Sequence, residues 1–228
     1  MDLPGKRGAA SSWFQRLFGK KLPEPEPEPE THPKPQAGRF TTTFDRNNKT
    51  MLKQLREVKK YKHIIEDASR RYDILPSVLC GIGSRESHWG LGLKPQGPGG
   101  RGDFARRRPR GQRRSPEPPD GPGYGRGLLQ IDYDWHEMAR TGKWYVPREN
   151  VMYGCTVLNN AKKFLKRQPF RLNEDQMLRA ILAAYNGGAT ATANAIKAGQ
   201  DIDANTTGKD YSRDVLNRSG WFQLHGWR

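Results

Sequence analysis

The sequence predicts a mainly helical fold with one small hairpin, and three observations carry that prediction. Apolar residues recur every three or four positions through most of the chain beyond residue 43, and strand-like alternation is scarce. The breaks between periodic stretches carry helix stop signals or glycine-rich runs.

The elements follow in order. Residues 1–43 read as a tail outside the fold, because the run of alternating Pro and Glu from Pro23 to Glu30 favours an extended, self-repelling spacer. Ahead of it, Trp13, Phe14, Leu17 and Phe18 fall on one side of a short helical turn, a pattern that suits a membrane-surface or docking peptide and equally a plain tail. The helical domain is expected over 44–228. Leu52, Leu55, Val58, Tyr61, Ile65 and Ala68 mark an amphipathic helix with one break. Pro76 fits the first turn of the next, where a missing N–H costs nothing, and Val78, Leu79 and Ile82 supply its apolar stripe up to about Gly90.

Residues 97–119, at the start of a stretch rich in Gly, Pro and Arg, read as an exposed insertion, with the hairpin expected in the glycine-rich region beside it. A helix from about Arg148 places Val151, Cys155, Leu158 and Leu165 on one face. Asn173 with Gln176 resembles a capping box opening a helix that stops at Asn186-Gly187-Gly188. A short helix to Gly199 and a last one over about 210–224 complete the count.

Composition narrows the function classes. The 228 residues hold 40 Lys+Arg against 24 Asp+Glu, a net charge of +16, and no apolar run is long enough to span a bilayer. The excess calls for a polyanionic partner, whether nucleic acid, anionic lipid or wall polymer. Two cysteines exclude a disulfide-dense scaffold and leave open whether they pair. No uninterrupted apolar stretch of secretory-signal type stands near the start, so the route of export is left open.

One segment has the makings of a catalytic acid. Glu86 lies at the end of an otherwise apolar helix, where both the helix dipole and burial disfavour a carboxylate and raise its pKa. A carboxyl group that stays protonated near neutrality is what a general acid requires. The segment from Gly83 to Gly90 alone suits a surface Glu at a helix end just as well.

Three ordered motifs decide between these readings. The segments Gly81-Ile82-Gly83-Ser84-Arg85-Glu86-Ser87-His88-Trp89-Gly90, Gly127-Leu128-Leu129-Gln130-Ile131-Asp132 and Ala184-Tyr185-Asn186-Gly187-Gly188 resemble the signatures of goose-type lysozymes. The superfamily of soluble lytic transglycosylases shares a looser form of them. The resemblance implies a lysozyme-like helical domain whose cleft binds alternating N-acetylglucosamine and N-acetylmuramic acid, with the hairpin beside the cleft.

It further implies that Glu86 protonates the glycosidic oxygen and that Asp132 assists the attacking water. The second family aspartate has its closest counterpart in Asp120, displaced by one residue, with Asp103 as the substitute. Tyr185 and Asn186 match cleft residues beside the acid, the tyrosine hydroxyl being expected on Glu86 or on a substrate acetamido group. His136 matches a sugar-contacting histidine, and Gln130 and Tyr211 are further cleft walls. No metal or other cofactor is expected.

The insertion departs from the family. Its arginines are expected to hold the protein to anionic wall polymers or lipopolysaccharide. A transglycosylase that leaves 1,6-anhydromuramic ends, and a non-enzymatic cationic wall- or membrane-binding protein, are the alternatives. A nucleic-acid reader finds no supporting motif. The expected enzyme acts on peptidoglycan at the bacterial wall as a monomer.

Overall fold

The computed structural model describes residues 39–105 and 117–228. The Pro/Glu run, the amphipathic turn around Trp13 and the six arginines between residues 106 and 114 lie outside the described residues. The described elements are α1 (Lys49–Lys59), α2 (Lys62–Tyr72), α3 (Pro76–Ser87), β1 (Arg101–Gly102), β2 (Gly125–Arg126), β3 (Ile131–Asp132), α4 (Glu137–Thr141), α5 (Pro147–Lys166), α6 (Glu174–Gly187), α7 (Ala189–Lys197) and α8 (Tyr211–Leu224). The fold is mainly helical with a small antiparallel sheet in the order β1-β2-β3, as expected. None of the described helices is long and apolar enough to cross a membrane.

The break in the first amphipathic stretch falls at Lys60-Tyr61, so Met51, Leu55 and Val58 on α1 and Ile64, Ile65 and Ala68 on α2 enter one core from two directions. At the centre is α3, nine of whose twelve residues are buried. A helix surrounded on most sides has little use for a polar face, which is why its sequence shows a weak amphipathic pattern. Helix α8 runs close against it. A Cβ at Gly81 would stand 2.5 Å from Ser219 Oγ and 2.6 Å from the Val215 carbonyl, so only glycine permits this approach.

The main core gathers Val78, Leu79, Cys80 and Ile82 of α3 with Leu128, Leu129, Val151, Cys155, Val215 and Phe222. A second cluster joins α5, α6 and α7 through Ala161, Leu165, Ala180, Ala184 and Ala193. Cys80 and Cys155 are both buried and both free thiols, which settles the pairing left open by the sequence.

The capping box at Asn173 and Gln176 is formed in both directions. Residues 39–43, on the tail side of the boundary expected at 43, run along α8. There the Phe40 N–H donates to Gln223 Oε1 (3.1 Å) and the Thr43 N–H to Asn217 Oδ1 (2.7 Å). The insertion needs correction at its near end. Within it, Arg101–Gly102 forms a strand paired with Gly125–Arg126, and Gly100 and Gly102 are buried rather than exposed. Glycine without strand propensity masked this pairing, because the strand forms to seat another side chain rather than to bury its own.

Candidate active site

Glu86 stands on the last turn of α3, and the chain turns sharply behind it. His88 and Trp89 both take left-handed conformations (φ 51° and 56°), which stops the helix and folds Trp89 back over it. The indole is fully buried, donates from Nε1 to the Cys80 carbonyl (3.0 Å) and covers Gly83, where a Cβ would come within 2.6 Å of the ring.

Glu86 itself keeps part of its surface open. Desolvation nevertheless dominates and raises its pKa to about 7. A hydrogen bond from the Tyr211 hydroxyl and the charge of Arg85 oppose the rise, while the charge of Asp103 adds to it. The bond from Tyr211 ends on Glu86 Oε1.

Tyr211, the first residue of α8, is held from several sides. Arg85, next to the acid, binds Asp214 (2.8 Å) and Asp210 (3.0 Å) and lies 5.8 Å above the Tyr211 ring. Behind α8 the buried Asp203 accepts from the Ser212 N–H (2.8 Å) and hydroxyl (2.7 Å), capping the helix, and pairs with Arg179 of α6 (3.3 Å). A side-chain acceptor here satisfies backbone donors that the helix start leaves open.

The second motif is pinned from three elements. The Ser87 hydroxyl donates to the Leu128 carbonyl (2.6 Å) and the Tyr185 hydroxyl to the Leu129 carbonyl (2.6 Å), while buried Asn150 accepts from the Leu129 N–H (2.8 Å) and donates to the Arg126 carbonyl (3.0 Å). The expected bond from Tyr185 to Glu86 is therefore not formed. Tyr185 lies close enough for the charge of Glu86 to raise its pKa, after desolvation, but its proton is engaged by a backbone acceptor. The tyrosine that does reach the acid is Tyr211.

Gln130 takes a left-handed conformation (φ 49°), donates to the Gly127 carbonyl (2.8 Å) and lays its amide against the paired glycines Gly102 and Gly125. A Cβ on either would fall within 2.2 Å of Gln130 Oε1. Asn186 accepts from the Thr207 N–H (2.8 Å) and so steadies the segment leading to Tyr211.

The aspartates separate. Asp132 ends β3, accepts from the Asp134 N–H (2.8 Å) and acts by its charge on His136. Desolvation lowers the His136 pKa, and its ring meets the Tyr153 hydroxyl (3.2 Å) on α5. Asp120 gives Oδ1 to Arg126 (2.7 Å) and faces Arg101 with Oδ2 (3.4 Å). The aspartate whose charge reaches Glu86 is Asp103, exposed just beyond β1. Sequence reasoning put Asp120 ahead of Asp103 as the second aspartate of the resemblance, and spacing along the chain carries no sign that Asp120 pairs with Arg126 and Arg101. It also missed Trp135, which is 80 % exposed beside His136, and Arg85, Ser87 and Asn150, which carry no signal beyond polarity.

Comparison with known proteins matches the chain to one family. A sequence profile of the family described as Lysozyme g matches residues 110–226. The lysozyme g of Casuarius casuarius is 30% identical over 173 residues, 76% of this chain and 78% of that protein. That of Gallus gallus is 30% identical over 175 residues, covering 77% and 69%. That of Takifugu rubripes is 32% identical over 170 residues, covering 73% and 75%. With all three motifs gathered around one half-open carboxyl group and the matches spanning most of the relatives' length, the chain belongs to the lysozyme g family.

Proposed function

We propose that this protein is a muramidase that hydrolyses the β-1,4 bond between N-acetylmuramic acid and N-acetylglucosamine in bacterial peptidoglycan. The observation that carries the proposal is Glu86: burial holds its pKa at about 7, so a large fraction of the carboxyl group is protonated near neutral pH. Glu86 gives its proton to the glycosidic oxygen as the bond from that oxygen to the muramic C1 breaks. A water molecule attacks C1 from the opposite face and passes its proton to a second carboxylate. The products are a free 4-hydroxyl and a reducing muramic end of inverted configuration.

An inverting pair needs its carboxyl groups about 6.5–9.5 Å apart to leave room for the water. Asp103 is the better base than Asp120 in this reading. Its charge is felt at Glu86, whereas both oxygens of Asp120 face guanidinium groups. Asp132 assists by ordering water and His136. Trp135 offers an exposed ring on which a sugar face can stack, and Gln130, His136, Tyr185, Asn186 and Tyr211 shape the glycan cleft. The six arginines between residues 106 and 114 add salt-sensitive attraction to anionic wall polymers or lipopolysaccharide.

Mass spectrometry of muropeptides released by the purified chain tests this reading. Reducing muramic ends are expected; 1,6-anhydro ends would assign the transglycosylase reaction instead. Glu86→Gln should lower the rate by about 10²–10⁴-fold, the usual worth of a positioned acid. Full wall clearing by that variant would leave only a non-enzymatic cationic protein.

A further inference from the structure

The hairpin beside Glu86 carries an electrostatic liability. Arg101 on β1 and Arg126 on β2 are direct cross-strand partners, and like charges facing one another across a strand pair are destabilising. The Arg126 side chain is moreover fully buried, between the rings of Tyr133 (5.0 Å) and Trp144 (5.3 Å). Among the described residues its Nε and Nη1 have no hydrogen-bond partner.

Asp120 is what offsets this. One carboxylate oxygen accepts a hydrogen bond from Arg126 Nη2 (2.7 Å), and the other lies 3.4 Å from Arg101 Nη2. The Asp120 backbone carbonyl accepts a further bond from Arg101 Nη1. A single half-exposed carboxylate thus bridges both guanidinium groups and closes the strand pair. The next residue pair, Gly102 and Gly125, has no side chain to hold the strands and instead seats Gln130. Asp103 follows directly.

We propose that Asp120 is a positioning residue, a counter-ion clamp that neutralises the Arg101–Arg126 pair and thereby fixes the hairpin presenting Asp103 to the site. This rests on the reading of Asp103 as the base. Removing one partner of a buried ion pair is strongly destabilising, whereas replacing the buried charge as well with an apolar side chain of similar volume is often neutral. That asymmetry separates a clamp from a base.

The test compares Asp120→Asn, Arg126→Met and the double variant in the full chain, by thermal midpoint and by muropeptide release across pH. Asp120→Asn should lose about 10²-fold in kcat, the cost of a misplacement near 1 Å. Its alkaline limb should move to lower pH, because a displaced Asp103 no longer raises the Glu86 pKa. Arg126→Met alone should stay active. The double variant should recover the midpoint, most of the rate and the original limb, and it should do so even where Asp120→Asn alone is too unstable to assay. A double variant that folds but stays as inactive as Asp120→Asn overturns the clamp. Asp103→Asn, measured alongside, judges the base separately: its full activity would remove that assignment, while recovery in the double variant would still support Asp120 as the clamp.

Discussion

At the residue scale the proposed chemistry turns on a carboxyl group kept partly protonated at a cost in stability. The Glu86 pKa rises from an ordinary 4.5 to about 7 on folding. Between those values the unfolded chain has released the proton that the folded chain keeps, so stability falls as pH rises through the window and levels off above it. A rise of this size corresponds to roughly 3 kcal/mol. Glu86→Gln, which has no charge to bury, should therefore be more stable than the parent at pH 8, by several degrees in thermal midpoint, with the gap closing near pH 4. Equal midpoints at both pH values would contradict the burial of the charge. Tyr211 acts in the opposite direction, since its hydrogen bond favours the carboxylate. Tyr211→Phe should shift the alkaline limb of activity upward, above the parent's midpoint near pH 7, as read from a pH-rate profile.

At the element scale the site is an agreement between α3 and α8. The two helices approach so closely at Gly81 that any side chain meets the Val215 backbone carbonyl, which cannot rotate away. Gly81→Ala gains helix propensity of about 1 kcal/mol, yet overpacking against fixed backbone costs about 1–3 kcal/mol. The net effect should be destabilising in urea titration and should lower activity further, because α8 carries Tyr211 to the acid. Asp203→Ala should do the same from the other side, by about 3 kcal/mol, since it strips the buried cap from Ser212 and takes from Arg179 its buried carboxylate partner. The pattern of α3 illustrates how much was readable. Its Pro76 start and apolar content were plain, but Gly81 and Gly83 read as poor helix formers until Ser219 and Trp89 supply the reason for them.

At the scale of the whole molecule, the proposed attraction to the wall can be tested through net charge. Deleting residues 106–114 removes six arginines and takes the net charge from +16 to +10. The shortened chain should bind sacculi more weakly at low ionic strength and equally at high salt, where surface attraction is screened. Binding unchanged at low salt would detach the insertion from wall recognition.

The sequence by itself determined the helical class, the capping of α6, the family motifs and the place of Glu86 at an apolar helix end, because periodicity, caps and a carboxyl group at such an end are local properties. Only the tertiary structure decided which groups surround that acid. Tyr211 instead of Tyr185 reaches Glu86, Asp103 instead of Asp120 acts on it by charge, and Asp120 belongs to the paired arginines. Hydrogen bonds and Coulomb forces depend on separation in space, and an insertion within a hairpin changes spacing along the chain while leaving the strand partners face to face.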